Sequence, residues 1–361
     1  MGEVELSALR ERIAEIDEQI LSLIGERLET AVAVAEAKRS GRIPVRNFQV
    51  EVEVLARARR AARQKGFDEE LAQRVLRELI EASVSTQTQH NMTPSERQQR
   101  VLIVGGGGRM GRWLGQFFAD QGHQVAVTDP SWQNSLPLRE GVAEAEVVAL
   151  ATPLSATPPV LREVLALPQR PLVFDICSLK GELIPILREA AGQGHRVTSL
   201  HPMFGPGPAL LSGQTLLVCD AGHAEATRQA RALFSHSALS LCDLPLEEHD
   251  RVMSVVLGMS HAINLVFALT LARFGLPLEQ LGRLASSTFA RQIQTTAQVA
   301  GENPSLYHQI QFLNQHTGGV YQALSSALAD FRAAATCSDE DQFVCLMDEC
   351  RQFFYGKNAD G

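Results

Sequence analysis

Two sets of residues in this 361-residue chain have the types and spacing to do chemistry. His201 ends an apolar run in Leu200-His201-Pro202-Met203-Phe204-Gly205-Pro206. A neutral imidazole can take a proton from a substrate hydroxyl. Upstream, Val101-Leu102-Ile103-Val104 leads into Gly105-Gly106-Gly107-Gly108-Arg109-Met110-Gly111, where Gly106, Gly108 and Gly111 fit the spacing GxGxxG. Glycines at that spacing let backbone amides approach a pyrophosphate at the N-terminus of the following helix, with Arg109 and Met110 in the same turn. A dinucleotide loop and a titratable strand-end histidine together point to redox chemistry on a small acid.

The elements that must position these residues follow from the pattern. Strands expected at 101–104, 124–128, 146–150, 172–175 and 196–200 alternate with helical stretches, the rhythm of a doubly wound parallel sheet. Ligands bind such sheets beyond the carboxyl ends of the strands. Those ends carry Asp129, Thr152-Pro153, Ser178-Leu179-Lys180 and His201, so Ser178, Lys180 and His201 are expected to converge near a nicotinamide. Asp129, about 20 residues past the loop, suits a ribose 2′-hydroxyl and would repel a 2′-phosphate. Pro130-Ser131 brings no arginine beside it, so the cofactor expected is NAD rather than NADP.

Residues 4–40 form the clearest periodic segment, with Leu6, Leu9, Ile13, Ile16, Ile20 and Leu23 spaced as the seam of a packed helix. Continued by sevens, the seam reaches Arg27. A cation at a core-facing position is costly unless an acid or a ligand anion lies opposite it. Lys38 sits three turns further along nearly the same face, whereas Arg10 precedes Arg27 by roughly 25 Å at about 1.5 Å per residue. One small molecule cannot touch both arginines of one helix. A site that uses both must take Arg10 from a second chain running antiparallel, which predicts a homodimer. Ser40-Gly41 and Pro44 end this helix; a second is expected at 47–65, and a third runs from an Asp68 cap to Thr86-Gln87.

Composition narrows the function classes. A net charge of -8 argues against nucleic acid as a partner. Six cysteines without a CxxC pair or zinc-type spacing imply reduced thiols and no metal site. The N-terminus is charged from Glu3 onward, and no apolar stretch is read as approaching the roughly 20 residues of a membrane span, so a cytoplasmic enzyme is expected. From about Leu246 the pattern is helical. There His249 and His261 would lie about 120° apart on an ideal helix.

Leu9-Arg10, Glu26-Arg27, Ala37-Lys38, Glu51, Ser83 and Thr86-Gln87 fall where the all-helical chorismate mutase family places its site residues, a resemblance over residues 4–90. It implies that Arg27 and Arg10 of the partner subunit clamp the substrate carboxylates. Lys38 and Gln87 would reach the ether oxygen, and Glu51 the ring hydroxyl. The chain departs from that family at Asn47 and Val50, where aspartate and arginine are common, which implies one substrate contact fewer. The rearrangement implied, chorismate to prephenate, needs only a compact conformer and charge stabilisation at the breaking C–O bond.

The HPMFGP run and the strand-end residues resemble prephenate dehydrogenase over residues 100–355, and the whole chain resembles the bifunctional chorismate mutase/prephenate dehydrogenase family of tyrosine biosynthesis. That implies oxidative decarboxylation of prephenate to 4-hydroxyphenylpyruvate with NAD. His201 would be the base and Ser178 would orient the hydroxyl, with Lys180 and His261 nearby. Arg291, in Ser286-Ser287-Thr288-Phe289-Ala290-Arg291, would hold a carboxylate. Tyrosine as an effector is a further implication. The alternative is an arogenate or other small-acid NAD dehydrogenase whose weakened mutase module serves dimerisation or regulation. The domains expected are an all-α three-helix mutase module at 1–92, a linker at 93–100, an α/β Rossmann-type NAD domain at 101–245 and an all-α substrate and dimerisation domain at 246–361.

Overall fold

The computed structural model describes residues 2–40, 48–91, 98–206 and 211–356 except 212, 236 and 238. Pro44, Asn47 and most of the expected linker lie outside the described residues. The chain divides into two compact units, residues 1–177 with 182–246, and residues 178–181 with 247–361.

The first unit begins with three helices, α1 (Gly2–Ser40), α2 (Phe48–Lys65) and α3 (Glu69–Asn91). As the sequence suggested, Asp68 caps α3: its Oδ1 accepts the N–H groups of Glu70 and Leu71 at 2.6 and 2.9 Å. Helices α1 and α3 pack together, with Ala31 and Ala35 buried on one and Ile80 and Val84 on the other. The first half of the seam is not covered within the chain: Leu9 and Ile13 are each 59% exposed, and the buried positions of α1 lie in its second half.

The sheet of the first unit has seven strands, β1 (Arg100–Val104), β2 (Gln124–Thr128), β3 (Val147–Leu150), β4 (Leu172–Asp175), β5 (Val197–Pro202), β6 (Thr215–Cys219) and β7 (Ser240–Asp243). Their order is β2-β1-β3-β4-β5-β6-β7. Strands β1 to β5 are parallel, but β6 runs antiparallel to β5, so the sheet is mixed and two strands longer than the sequence pattern indicated. Among the described residues no helix lies between β5 and β6, in keeping with their antiparallel pairing, which needs no crossover. Strand β5 also runs on through His201, which pairs with Leu217.

Helices α4 (Arg109–Asp120), α5 (Leu138–Glu144), α6 (Thr157–Leu165), α7 (Ile184–Gly192) and α8 (Ala224–Phe234) flank the sheet. Leu114, Phe117 and Phe118 of α4 join Phe234 of α8 over one face, and Val142, Leu161 and Leu187 cover the other. The central strands read as unbroken apolar runs because both faces are covered.

The second unit is helical: α9 (His249–Met253), a π-helical segment Ser254–Met259, α10 (Ser260–Phe274), α11 (Leu278–Arg283), α12 (Ser287–Ala300), α13 (Pro304–Phe312), α14 (Thr317–Thr336) and α15 (Glu340–Tyr355). One apolar stretch here runs against the expectation that none approaches the length of a membrane span. Leu246–Phe274 is long and apolar enough to cross a membrane, with a window of mean hydropathy 1.9, because no charge interrupts residues 252–272. Only 22% of that window is buried within the chain.

Candidate active sites

In the three-helix module, Arg27, Ser83 and Gln87 line one cavity of about 430 Å³ together with Thr30, Leu23 and Val34. Arg27 Nη1 donates to the Leu79 carbonyl and to Ser83 Oγ, while Ser83 Oγ donates to Leu79 O at 2.8 Å. No carboxylate pairs with Arg27 among the described residues, and burial lowers the guanidinium pKa. One edge of the guanidinium is thus fixed by α3, while Nε and Nη2 remain able to meet a carboxylate side-on. Gln87 is buried, and its Oε1 has no hydrogen-bond partner among the described residues, the kind of orphaned group that a ligand satisfies.

The other mutase candidates stand elsewhere. Lys38 is half-buried on α1 beyond the cavity lining, and Glu51 is half-buried in the first turn of α2. Arg10 is exposed on the first half of α1. The chain alone therefore gathers three of the six residues around one cavity. Thr30 and the Leu79 carbonyl were not singled out in the sequence, since a backbone acceptor leaves no mark there.

At the glycine turn, β1 and β3 are neighbours in the sheet, and the strands leave them in opposite directions, which opens a crevice at their carboxyl ends. Gly105, at φ +85, packs against the loop after β3 so closely that a Cβ would lie 2.7 Å from the Ala151 carbonyl. At Gly111 a Cβ would lie 2.2 Å from the Gly105 oxygen. Helix α4 starts at Gly108 with no side-chain cap, which leaves the N–H groups of Arg109, Met110 and Gly111 for an anion. Thr152 Oγ1 lies 2.8 Å from Thr157 Oγ1, and Thr157 Oγ1 donates to the Pro153 carbonyl at 3.0 Å, so α6 braces the loop on the other side of the crevice.

Asp129 follows β2, and its Oδ2 accepts the Gly107 N–H at 3.0 Å. Its Oδ1 accepts the N–H and hydroxyl of Ser131 at 2.7 and 2.6 Å. Burial raises this carboxyl's pKa, but the bonds from Ser131 and Gly107 and the charge of Arg112 outweigh it and hold the group below the ordinary range. The Arg112 guanidinium lies 5.6 Å from the centre of the Trp132 ring. Bare amides, a turn with no room for Cβ atoms and an ionised acceptor one strand away fit a dinucleotide.

Further along the same edge, His201 is 3% exposed. Alternation along β5 puts it on the same face as Ser199, whose hydroxyl donates to Asp175 Oδ2 at 2.6 Å. Asp175 Oδ1 also accepts the Cys177 N–H at 3.0 Å, so the ends of β4 and β5 are locked together next to the histidine.

The remaining dehydrogenase candidates, Ser178, Lys180, His261 and Arg291, belong to the second unit. Ser178 is half-buried, whereas Lys180 is fully buried, with its N–H donating to Asp250 Oδ1 at 2.7 Å. Gly181 N–H donates to Asp250 Oδ2 at 2.7 Å, and His249 Nδ1 lies 2.7 Å from Oδ1. His261 stacks on Tyr307 with ring centres 4.0 Å apart, and its Nδ1 is buried without a partner among the described residues. Arg291 is exposed on α12. The sequence did not single out Asp250, although it stands beside His249.

The π-helical segment also changes the relation of His249 to His261. A π-helical turn holds more residues than an α-helical one, so the separation of about 120° expected on an ideal helix does not carry over to a pair with this segment between them. Gln311 donates to the Gly258 carbonyl at 2.9 Å and accepts from the Tyr321 hydroxyl at 3.0 Å, which satisfies a group that the irregular turn frees.

Comparison with known proteins adds three family matches in succession. Residues 9–88 match chorismate mutase type II, 118–233 the nucleotide-binding domain of prephenate dehydrogenase, and 245–349 its dimerization domain. The T-protein of Enterobacter agglomerans is 26% identical over 352 residues, covering 97% of this chain and 93% of its own length. The chorismate mutase of Methanocaldococcus jannaschii is 34% identical over 86 residues, 24% of this chain and 87% of its own. A crystal structure of prephenate dehydrogenase from A. aeolicus, in complex with hydroxyphenyl propionate and NAD+, superposes with a TM-score of 0.60 at 17% identity. It covers 71% of this chain and 97% of that one, and it supports the fold.

Proposed function

This chain belongs to the family of bifunctional chorismate mutase/prephenate dehydrogenases, and we propose that its two pockets divide the work as follows. The helical module rearranges chorismate to prephenate; the dehydrogenase part of the chain oxidises prephenate to 4-hydroxyphenylpyruvate with NAD+. The succession of mutase, nucleotide-binding and dimerization matches along one chain carries this reading.

In the first reaction Arg27, held at Nη1 by α3, offers its free edge to a carboxylate. Gln87 offers an amide donor to the ether oxygen as the C–O bond breaks. Arg10 of the partner subunit supplies the second carboxylate clamp, and the exposed seam of Leu9, Ile13 and Ile20 supports a second copy there. A cationic pocket then stabilises charge at the breaking bond without proton transfer. Lys38 and Glu51 complete the site around the ring and ether oxygen.

In the second reaction His201 accepts the proton of the ring hydroxyl, and Ser178 orients that hydroxyl. Bound NAD+ would supply the acceptor for the hydride leaving the carbon that bears the hydroxyl. The carboxylate on the opposite ring carbon leaves as carbon dioxide, and its bonding electrons complete the aromatic ring. Gly106, Gly108, Arg109, Met110 and Gly111 would hold the pyrophosphate, Asp129 the ribose hydroxyls, and Thr152-Pro153 the wall near the nicotinamide. Arg291 holds the side-chain carboxylate, with Lys180 and His261 lining the site.

The dimer, a cytoplasmic location with the NAD pool and feedback by tyrosine, which shares a ring and a carboxylate with the pathway intermediates, are parts of the same proposal. Supplying chorismate and NAD+ and following NADH tests the whole reading. NADH formation from both chorismate and prephenate is expected. Reduction of NAD+ with arogenate but not prephenate would overturn the substrate, and absence of prephenate from chorismate alone would overturn the mutase.

A further inference from the structure

The adenosine end of the glycine turn holds a cation that the reactions above leave unused. Arg112 is exposed near the start of α4 and lies over the Trp132 ring at 5.6 Å. It is also close enough to Asp129 to act on its charge. Asp129 is anchored by three hydrogen bonds, from Gly107 N–H and from the N–H and hydroxyl of Ser131, so it cannot swing aside. The Arg112 guanidinium has no hydrogen-bond partner among the described residues and rests on a ring face, so its planar fork is available to a ligand.

A neutral ribose diol and a phosphate meet this cluster differently. The diol finds a fixed carboxylate acceptor. A phosphate finds repulsion from Asp129 and attraction from Arg112 together, and the anchored charge prevails because it cannot move away. We infer that Arg112 is a specificity-determining residue, a 2′-phosphate site kept shut by Asp129, so that the choice of NAD over NADP belongs to the pair rather than to the acid alone. The inference rests on the reading that the glycine turn binds NAD+.

Calorimetric titration of the full-length protein with NAD+ and NADP+ tests it without reference to turnover. Wild type is expected to bind NAD+ and to prefer it over NADP+. Asp129→Ser should tighten NADP+ by about tenfold or more, the worth of one charge-assisted hydrogen bond. Adding Arg112→Ala to that variant should remove the gain while leaving its NAD+ affinity within about threefold, since a single unpaired contact is at stake. Asp129→Asn keeps an acceptor for Gly107, so it should show the same gain if the serine variant misfolds. A gain that survives Arg112→Ala, or no gain in either folded Asp129 variant, would overturn the inference. Wild type that binds no NAD+ would instead remove the cofactor reading on which it rests.

Discussion

Asp250 accepts the backbone N–H of Lys180 at 2.7 Å across a separation of 70 residues, which pins the loop carrying Ser178 and Lys180 to the start of α9. Its other oxygen takes the Gly181 N–H, and Asn314 donates to its backbone carbonyl at 2.7 Å. Burial opposes an ionised carboxyl there, yet the bond from His249 and those from the backbone hold its pKa below the ordinary range. Asp250→Ala would leave the buried Lys180 N–H unpaired, at about 1–3 kcal/mol, and would take the acceptor from the Gly181 N–H. The expected result is a lower Tm and a fall in dehydrogenase kcat with mutase activity retained; Asp250→Asn should fall less. Equal loss of both activities would mean global unfolding and count against a local role.

His201→Asn keeps a polar side chain at a buried position of β5 but removes the base. Dehydrogenase turnover should drop by about 10²–10⁴-fold, the usual worth of a general base, with NAD+ binding and mutase activity unchanged. Near-normal oxidation of prephenate would remove the proposed role. Assays of both reactions on one preparation separate it from misfolding.

Arg10 is exposed near one end of α1 and Arg27 lines the cavity roughly 25 Å further along. If each mutase site draws on two chains, Arg10→Ala and Arg27→Ala should each abolish most activity. Mixing and refolding the two variants should then restore one intact site per heterodimer. Mutase rates that stay at the single-variant level in a verified heterodimer would place both arginines in separate roles within one chain.

The parallel strands β1 to β5, the Asp68 cap and the glycine turn were legible in the sequence because each rests on local pattern: apolar runs, a capping residue, a spacing. What lay hidden is contact between distant segments. Arg112 precedes Asp129 by a helix and a strand, and only the fold puts the cation beside the acid. Asp250 reads as an ordinary helix residue until the loop at Lys180 folds onto it. Strands β6 and β7 were missed because β6 runs antiparallel to β5 and breaks the parallel rhythm by which the first five strands were read, and the π-helical turn because apolar periodicity does not count residues per turn. His201 stood out in sequence as a strand-end group, and the fold adds the locked Asp175 and Ser199 beside it.

His261 gives a pH dependence whose sign can be stated. Burial lowers its pKa, with the charge of Glu302 acting weakly in the opposite sense. The unfolded chain, with an imidazole near 6.5, therefore takes up the proton first as pH falls. The stability contributed by the neutral, stacked ring is complete above about 6.5 and is lost as pH drops through the folded value. His261→Gln carries no titrating group, so its Tm should fall less than wild type between about pH 7 and pH 5.5. Paired thermal melts of the two proteins across that range measure the difference. Parallel Tm profiles would show that the His261 ring is protonated as readily in the folded chain as in the unfolded one.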